Sequence, residues 1–137
     1  MITVRLLRSA LVPCLFMAVC CIAHAQDASY DVFNPISKYL TQGDAESLSA
    51  WFDDNLEISI LANTSTSSKN QAKQILKGFF DAHTPRSFSI SHTAGQDNRK
   101  YALGTLSAGG ESFMVTIFVN NSSDRYKIQL LKIDRVQ

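Results

Sequence analysis

Cysteine is confined to the first 21 residues of this 137-residue chain. Its three positions are Cys14, Cys20 and Cys21, and the sequence from Ile22 onwards contains no thiol. That remainder can form no disulfide and offers no cysteine to a metal. A small scaffold held together by disulfides is therefore excluded, and the chain must rely on a hydrophobic core, for which its length is sufficient.

The chain also has no large excess of positive or negative charge. The chain has 13 Lys and Arg against 12 Asp and Glu, whereas nucleic-acid-binding domains carry a basic surface. We therefore expect no nucleic-acid partner. Beyond residue 25 the histidines are His83 and His92, which lie on different predicted elements and do not match the spacing of zinc ligands. No metal site and no cofactor are predicted.

Residues 1–25 have the three-part pattern of a secretory signal peptide. Two arginines form a positive start, an apolar run follows, and Ala23-His24-Ala25 supplies a small-residue cleavage site. The apolar run is short for a membrane anchor. We therefore expect cleavage after Ala25, export to the periplasm or the medium, and no stable membrane span thereafter. Lipidation of a cysteine in this segment is a minor alternative.

Three segments are predicted to be helical. Asn34-Pro35 begins the first and Gly43 ends it. Asp44 caps the second, AESLSAWF. Ser68 opens the third with the capping box SKNQ, after which apolar residues recur at helical spacing until a proline ends the helix.

Five segments alternate between apolar and polar residues with the period of a β-strand. NLEISIL lies between the second and third helices, and short turns join four strands after the third helix: SFSISHT, KYALGTLSA, ESFMVTIFV and RYKIQLLKI. The segment ANTSTSS, residues 62–68, is predicted to be a polar loop. This order indicates one α+β domain over residues 26–137, with helices on one face of an antiparallel sheet.

The segment GDAESLSAWFDDNLEIS, residues 43–59, resembles the junction between the N-terminal helices and the first strand in the nuclear transport factor 2-like, or cystatin-like, superfamily. With PISKYLTQ, SKNQAKQILKGFF and GTLSAGGESFMVTIFV, it resembles more specifically the domain of unknown function 4783 family of small exported bacterial proteins. The resemblance implies a cone, in which a curved antiparallel sheet wraps around a long helix behind two N-terminal helices. It also implies an internal pocket in many members and frequent dimerisation, but no established activity.

Asp53 and Asp54 are the first candidates for chemistry. Two carboxylates can act as a base or hold a cation, but acidic residues at the end of an element are ordinarily solvated. In the isomerases of the resembled superfamily the general-base aspartate lies a few residues later, on the first strand. The same spacing here falls on Ser59, with Glu57 two residues earlier. The vacant base position argues against isomerase chemistry, and we interpret the acidic pair as structural.

His92 is the second candidate. If Phe88 and Ile90 face the core, alternation along the strand points His92 the same way. We then expect Trp51, His92 and Tyr101 to line a pocket, with His92 and Tyr101 placed for acid–base chemistry of the dehydratase type. A lone histidine at the edge of a core is more commonly only hydrogen-bonded, so no residue is assigned as catalytic.

The sequence favours a non-catalytic exported domain that binds a small ligand or another protein through the cone cavity or the sheet face. One alternative is a lyase or isomerase of the ketosteroid isomerase or scytalone dehydratase type that uses His92 with Tyr101 or Asp54. A second is a structural protein that self-associates, for instance as a homodimer, through a serine-rich outer face and the apolar strand at residues 114–118.

Overall fold

The computed structural model describes residues 30–136. The chain divides into two units at the junction of Asp31 and Val32, and the unit that begins at Val32 carries the helices and strands described below. The predicted signal peptide, residues 1–25, lies outside the described residues. Within residues 30–136, no helix is long and apolar enough to cross a membrane.

The three predicted helices are present, in the order α1 (Phe33–Gln42), α2 (Ala45–Ser49) and α3 (Lys69–Ala82). Gly43 ends α1 in the left-handed conformation, with φ of 67°, which glycine adopts without strain. The Asp44 carboxylate accepts a hydrogen bond from the backbone N–H of Ser47 and caps α2. The Ser68 hydroxyl likewise accepts from the N–H of Gln71 and caps α3. The predicted end of α1 at Gly43 and the predicted caps at Asp44 and Ser68 are confirmed. The predicted start of α1 at Asn34-Pro35 is wrong, because the helix begins at Phe33 and its N-cap residue is Val32, whose side chain cannot accept a hydrogen bond.

Six strands form one curved sheet that is not closed into a barrel. They are β1 (Phe52–Ile60), β2 (Asn63–Ser68), β3 (Pro85–Gly95), β4 (Arg99–Ala108), β5 (Glu111–Asn121) and β6 (Tyr126–Arg135). Their spatial order is β2-β1-β6-β5-β4-β3. Strands β3 to β6 form the predicted antiparallel meander, whereas β1 pairs with β6 in parallel.

The helices cover one face of the sheet, called the inner face below. Helix α1 packs on β3, and α3 packs on β1 and β2. A cross-strand row on this face contains Ile58, Leu131 and Ile117, all of them buried. The ring of Phe79 in α3 packs edge-on against Phe113 in β5, with 5.1 Å between the ring centroids. The predicted α+β class, with helices on one face of a curved sheet, is confirmed.

The predicted second helix ends three residues early. The N–H groups of Ala50 and Trp51 bond to the carbonyl oxygens three residues back, at 3.2 and 3.0 Å, which tightens the last turn. The Trp51 carbonyl then accepts a hydrogen bond of 2.6 Å from the N–H of Ile128 in β6. Phe52 therefore begins β1, because sheet pairing overrides its helical spacing.

The sheet also contains a strand that the sequence did not predict. Most of the segment interpreted as a polar loop forms β2, which pairs with β1 through a two-residue turn at Leu61 and Ala62. Both turn residues have positive φ, 51° and 72°, as in the turns that suit a tight hairpin. The prediction was wrong because serine and threonine give no apolar alternation and neither turn residue is glycine, asparagine or aspartate.

Candidate functional site

The Asp53–Asp54 pair lies inside β1 and not in a solvated link before it. The Asp53 carboxylate accepts a hydrogen bond of 3.0 Å from the side-chain amide of Gln129 and one of 2.8 Å from the N–H of Asp54. The Gln129 bond is the largest cause that lowers the pKa of Asp53, and the Asp54 N–H, Lys127 and Lys69 lower it further against the opposing effect of burial. Asp53 is thus held as an anion, which is a structural role.

This pairing predicts a pH-dependent stability. Because the folded-state pKa of Asp53 lies below its ordinary value of 3.8, its contribution is present above that pH and is lost as the pH falls through the folded-state pKa. We expect Asp53→Asn to lower the free energy of unfolding at pH 7 by about 1 kcal/mol, a figure reduced for its partial exposure. In urea unfolding at pH 7 and at about pH 2.5 the difference from wild type should shrink at the lower pH.

The matched control for that prediction is Asp54→Asn, since Asp54 is exposed and its replacement should change stability by less than about 0.5 kcal/mol. An Asp53→Asn penalty of the same size at both pH values would contradict the assignment.

His92 lies on the opposite face of the sheet from Phe88 and Ile90, so the predicted common face is wrong. The pairing of β3 with β4 shifts between Ile90 and His92, and the extra residue is Ser91. A bulge of one residue reverses every side chain that follows it. His92 is exposed on the face that the helices do not cover, called the outer face below, where Leu103 is its cross-strand partner.

Tyr101 lies beside His92, also on the outer face. The two ring centroids are 6.2 Å apart with an interplanar angle of 68°, which is an edge-to-face contact. The acid–base hypothesis required His92 to face the cavity of the cone or its rim. Because His92 is exposed on the outer face, the hypothesis loses its basis.

Trp51 occupies the turn between α2 and β1, far along the sheet order from the strands that carry His92 and Tyr101. The grooves described for residues 30–136 are lined by other residues. That Trp51, His92 and Tyr101 line a common pocket stays a prediction.

Ser59 is buried on the outer face, where its hydroxyl shares a hydrogen bond of 2.9 Å with that of Thr64 in β2. Its backbone neighbour on the other side is Lys132 in β6. The position that corresponds to the isomerase base therefore holds a cross-strand hydroxyl pair that joins the edge strand to the sheet. No group of three or more metal-ligating side chains occurs among residues 30–136.

A groove of about 310 Å³ lies between α2 and α3. Glu46 and Lys73 face each other across it in an ion pair of 2.8 Å, and the ring of Phe80 contributes to its wall. Because Glu46 is largely exposed, this pair is a surface contact of small energy. The ion pair therefore links α2 to α3 at the surface.

His83 belongs to an aromatic cluster that the sequence did not predict. Its ring stacks on Phe79 with 4.8 Å between centroids and meets Phe113 edge-on at 5.2 Å. Its Nε2 lies 3.8 Å from Oε2 of Glu111. The other carboxylate oxygen of Glu111, Oε1, accepts a hydrogen bond of 3.0 Å from the Nε–H of Arg135. The spacing of four residues between Phe79 and His83, at the C-terminal end of α3, could have predicted their contact from the sequence. The contacts with residues of β5 and β6 depend on the register of the sheet.

The outer face carries an apolar patch at its centre, called the outer patch: Tyr101, Leu103, Met114, Phe118 and Leu130. Tyr101, Phe118 and Leu130 form one cross-strand row on β4, β5 and β6, and Leu103 and Met114 lie in the next two rows of the same face. Met114 is 45% exposed, and the other four are partly exposed. Contiguous apolar surface of this kind marks interaction sites in soluble domains.

Solved structures with the same fold define the class of the protein. A DUF4783 family protein from Bacteroides uniformis matches with a TM-score of 0.72 and 22% identity over 74% of this chain and 94% of that one. An NTF2-like protein from Cytophaga hutchinsonii matches with a TM-score of 0.62 and 13% identity over 82% and 98%. A domain with a cystatin-like fold from Nostoc punctiforme matches with 0.64 and 11% over 83% and 79%. The fold is therefore NTF2-like, or cystatin-like.

The sequence also identifies the family to which the chain belongs within this fold class. Residues 33–134 match the family described as "Domain of unknown function (DUF4783)", and the chain belongs to this family. The predicted resemblance is confirmed. Among curated proteins none matches the sequence significantly.

Proposed function

We propose that this domain is a non-catalytic binding module that docks through the outer patch, and that its partner at this surface is a second copy of the chain. The observation that carries the proposal is the row of Tyr101, Phe118 and Leu130 across three adjacent strands, extended by the exposed side chain of Met114. Helices α1 and α3 pack on the other face, so this row faces away from the domain's own core.

The charges beside the outer patch suit a second copy. Lys132 and Asp134 lie on β6 with 3.7 Å between the ammonium nitrogen and a carboxylate oxygen. Opposite charges side by side leave this rim without a dominant sign that would repel an identical surface. In a dimer with a twofold axis near β5, the outer faces of the two copies would pack sheet on sheet, with each row of side chains against the same row of the partner.

The inner face gives less support to a small-ligand cavity. Leu106, Phe113 and Ile117 are fully buried on this face, and the grooves described for residues 30–136 are lined by no residue of β3 to β6. We therefore favour the sheet face over the cone cavity as the binding surface. Export after cleavage at Ala25 remains part of the proposal and is supported by the sequence of residues 1–25.

Met114→Asp tests the proposal, because it places a charge at the most exposed side chain of the outer patch without entering the core. We expect sedimentation velocity to show a dimer of the wild-type domain, and the variant to raise the dimer dissociation constant by at least about tenfold, or 1.4 kcal/mol. Ser122→Asp, which adds the same charge in the exposed turn after β5, should dimerise as wild type does. A wild-type domain that stays monomeric at high concentration, or a Met114→Asp dimer of unchanged affinity, would overturn the proposal.

A further inference from the structure

The two edges of the sheet are protected very differently. Edge strand β3 begins with Pro85 and Arg86 and has two irregularities in its register. These are the usual devices that keep an edge from pairing with another strand. Edge strand β2, NTSTSS, has no proline and no charged side chain, and all six of its residues pair with β1 in unbroken register.

The backbone of β2 presents hydrogen-bonding groups to its open side. Ile60 and Asn63 flank the two-residue turn, so they form a hydrogen-bonded pair, and bonded and non-bonded pairs then alternate along the hairpin. By this alternation the N–H and C=O groups of Thr64 and Thr66 point away from β1. Both residues are exposed, and β2 is the last strand on this side of the sheet.

A groove of about 330 Å³ adjoins the same edge. Its apolar lining consists of Ile60, Leu61 and Ile75, and Ser65 of β2 contributes to it on the inner face. An added strand would place the side chain opposite Ser65 on this inner face and its neighbours on the outer face. The edge therefore offers backbone pairing together with a space for one aliphatic side chain.

We propose that the β2 edge binds an extended, uncharged peptide segment that pairs with Thr64 and Thr66 and inserts an aliphatic side chain into the groove beside Ser65. Binding by strand addition derives its affinity from main-chain hydrogen bonds and its specificity from alternate side chains. A second copy of β2 fits less well, since its hydroxyl and amide side chains cannot fill an apolar groove. This site is separate from the outer patch.

The probe is the capped pentapeptide acetyl-STVTS-amide, whose valine would face the groove while its two threonines pair with Thr64 and Thr66. In an NMR titration of the folded domain we expect the largest amide shifts at these two residues, and their amide hydrogen exchange should slow by about tenfold at saturation. The same peptide N-methylated at both threonines lacks the two donors and should bind at least about tenfold more weakly. Equal binding of the two peptides would overturn the proposal without any change to the protein.

Thr66→Pro provides the test from the protein side. It removes an N–H that faces the open edge and leaves the β1 pairs of Ser65 and Ser67 in place, so we expect peptide binding to be lost. Thr66→Val keeps the N–H and the branched shape and should bind as wild type. Binding retained by Thr66→Pro, shifts centred away from β2, or exchange protection that grows with protein concentration alone would each refute the peptide assignment, the last in favour of pairing between copies.

Discussion

Phe113→Ala is expected to lower the free energy of unfolding by about 3–5 kcal/mol, the usual range for removing a buried aromatic ring. Phe113 is fully buried, and its ring meets both Phe79 and His83 edge-on. The Arg135 guanidinium also lies 6.0 Å from its centroid. The substitution therefore removes the ring contact between α3 and β5 as well as apolar volume.

Urea unfolding at pH 7 gives the measurement, and the adjacent residue gives the control. Met114 lies on the outer face and is 45% exposed, so Met114→Ala should cost less than about 1 kcal/mol. Both variants should be compared at low protein concentration, where self-association does not add to apparent stability. Equal losses for the two variants would show that the inner and outer faces have been assigned incorrectly.

Gly104→Ala is expected to destabilise the domain by about 1–3 kcal/mol, the range for overpacking a filled core. A Cβ at this position would lie 2.5 Å from the ring of Phe88 and 2.6 Å from the backbone oxygen of Ser89. Rotation can displace the Phe88 ring, but the Ser89 oxygen belongs to the backbone of β3, which is paired with β4. Strand β3 must therefore move away from β4 at this position.

Gly78→Ala makes the same chemical change with the opposite expected sign. Gly78 is exposed in the middle of α3, and a Cβ there would meet no atom within 4 Å. Alanine should stabilise the helix by about 0.5–1 kcal/mol. Thermal or urea unfolding of the two single variants gives the comparison, and a stabilising Gly104→Ala would contradict the close packing of β3 on β4.

The sequence was sufficient to predict the helices and strands whose signals lie in neighbouring residues. Gly43, Asp44 and Ser68 fix helix ends through contacts with residues at most four positions away, and apolar alternation revealed the four strands of the meander. The family resemblance supplied the sheet's curvature, which no local pattern encodes. Strand β2 was not predicted, because it has no apolar alternation of its own and is a strand through its pairing with β1.

The candidate site was less predictable, because it depends on register. One extra residue at Ser91 moves His92 to the outer face, and nothing in the sequence SISHT marks that bulge. The partner of Asp53 is Gln129, on a strand at the other end of the chain. The parallel pairing of β1 with β6 brings these two residues together. Parallel strands are not joined by a hairpin turn, so no turn signal in the sequence indicates this pairing.

The same parallel pairing orders the events of folding during synthesis. Helices α1 to α3 and the hairpin β1–β2 are synthesised first. Ile58 can pair with its neighbour Leu131 only after β6 has been synthesised. Pairings between distant segments form slowly, because the chain must first close a long loop. Until β6 has been made, the apolar residues of β1 lack their neighbours in the sheet, so the nascent domain exposes apolar surface that the complete fold buries.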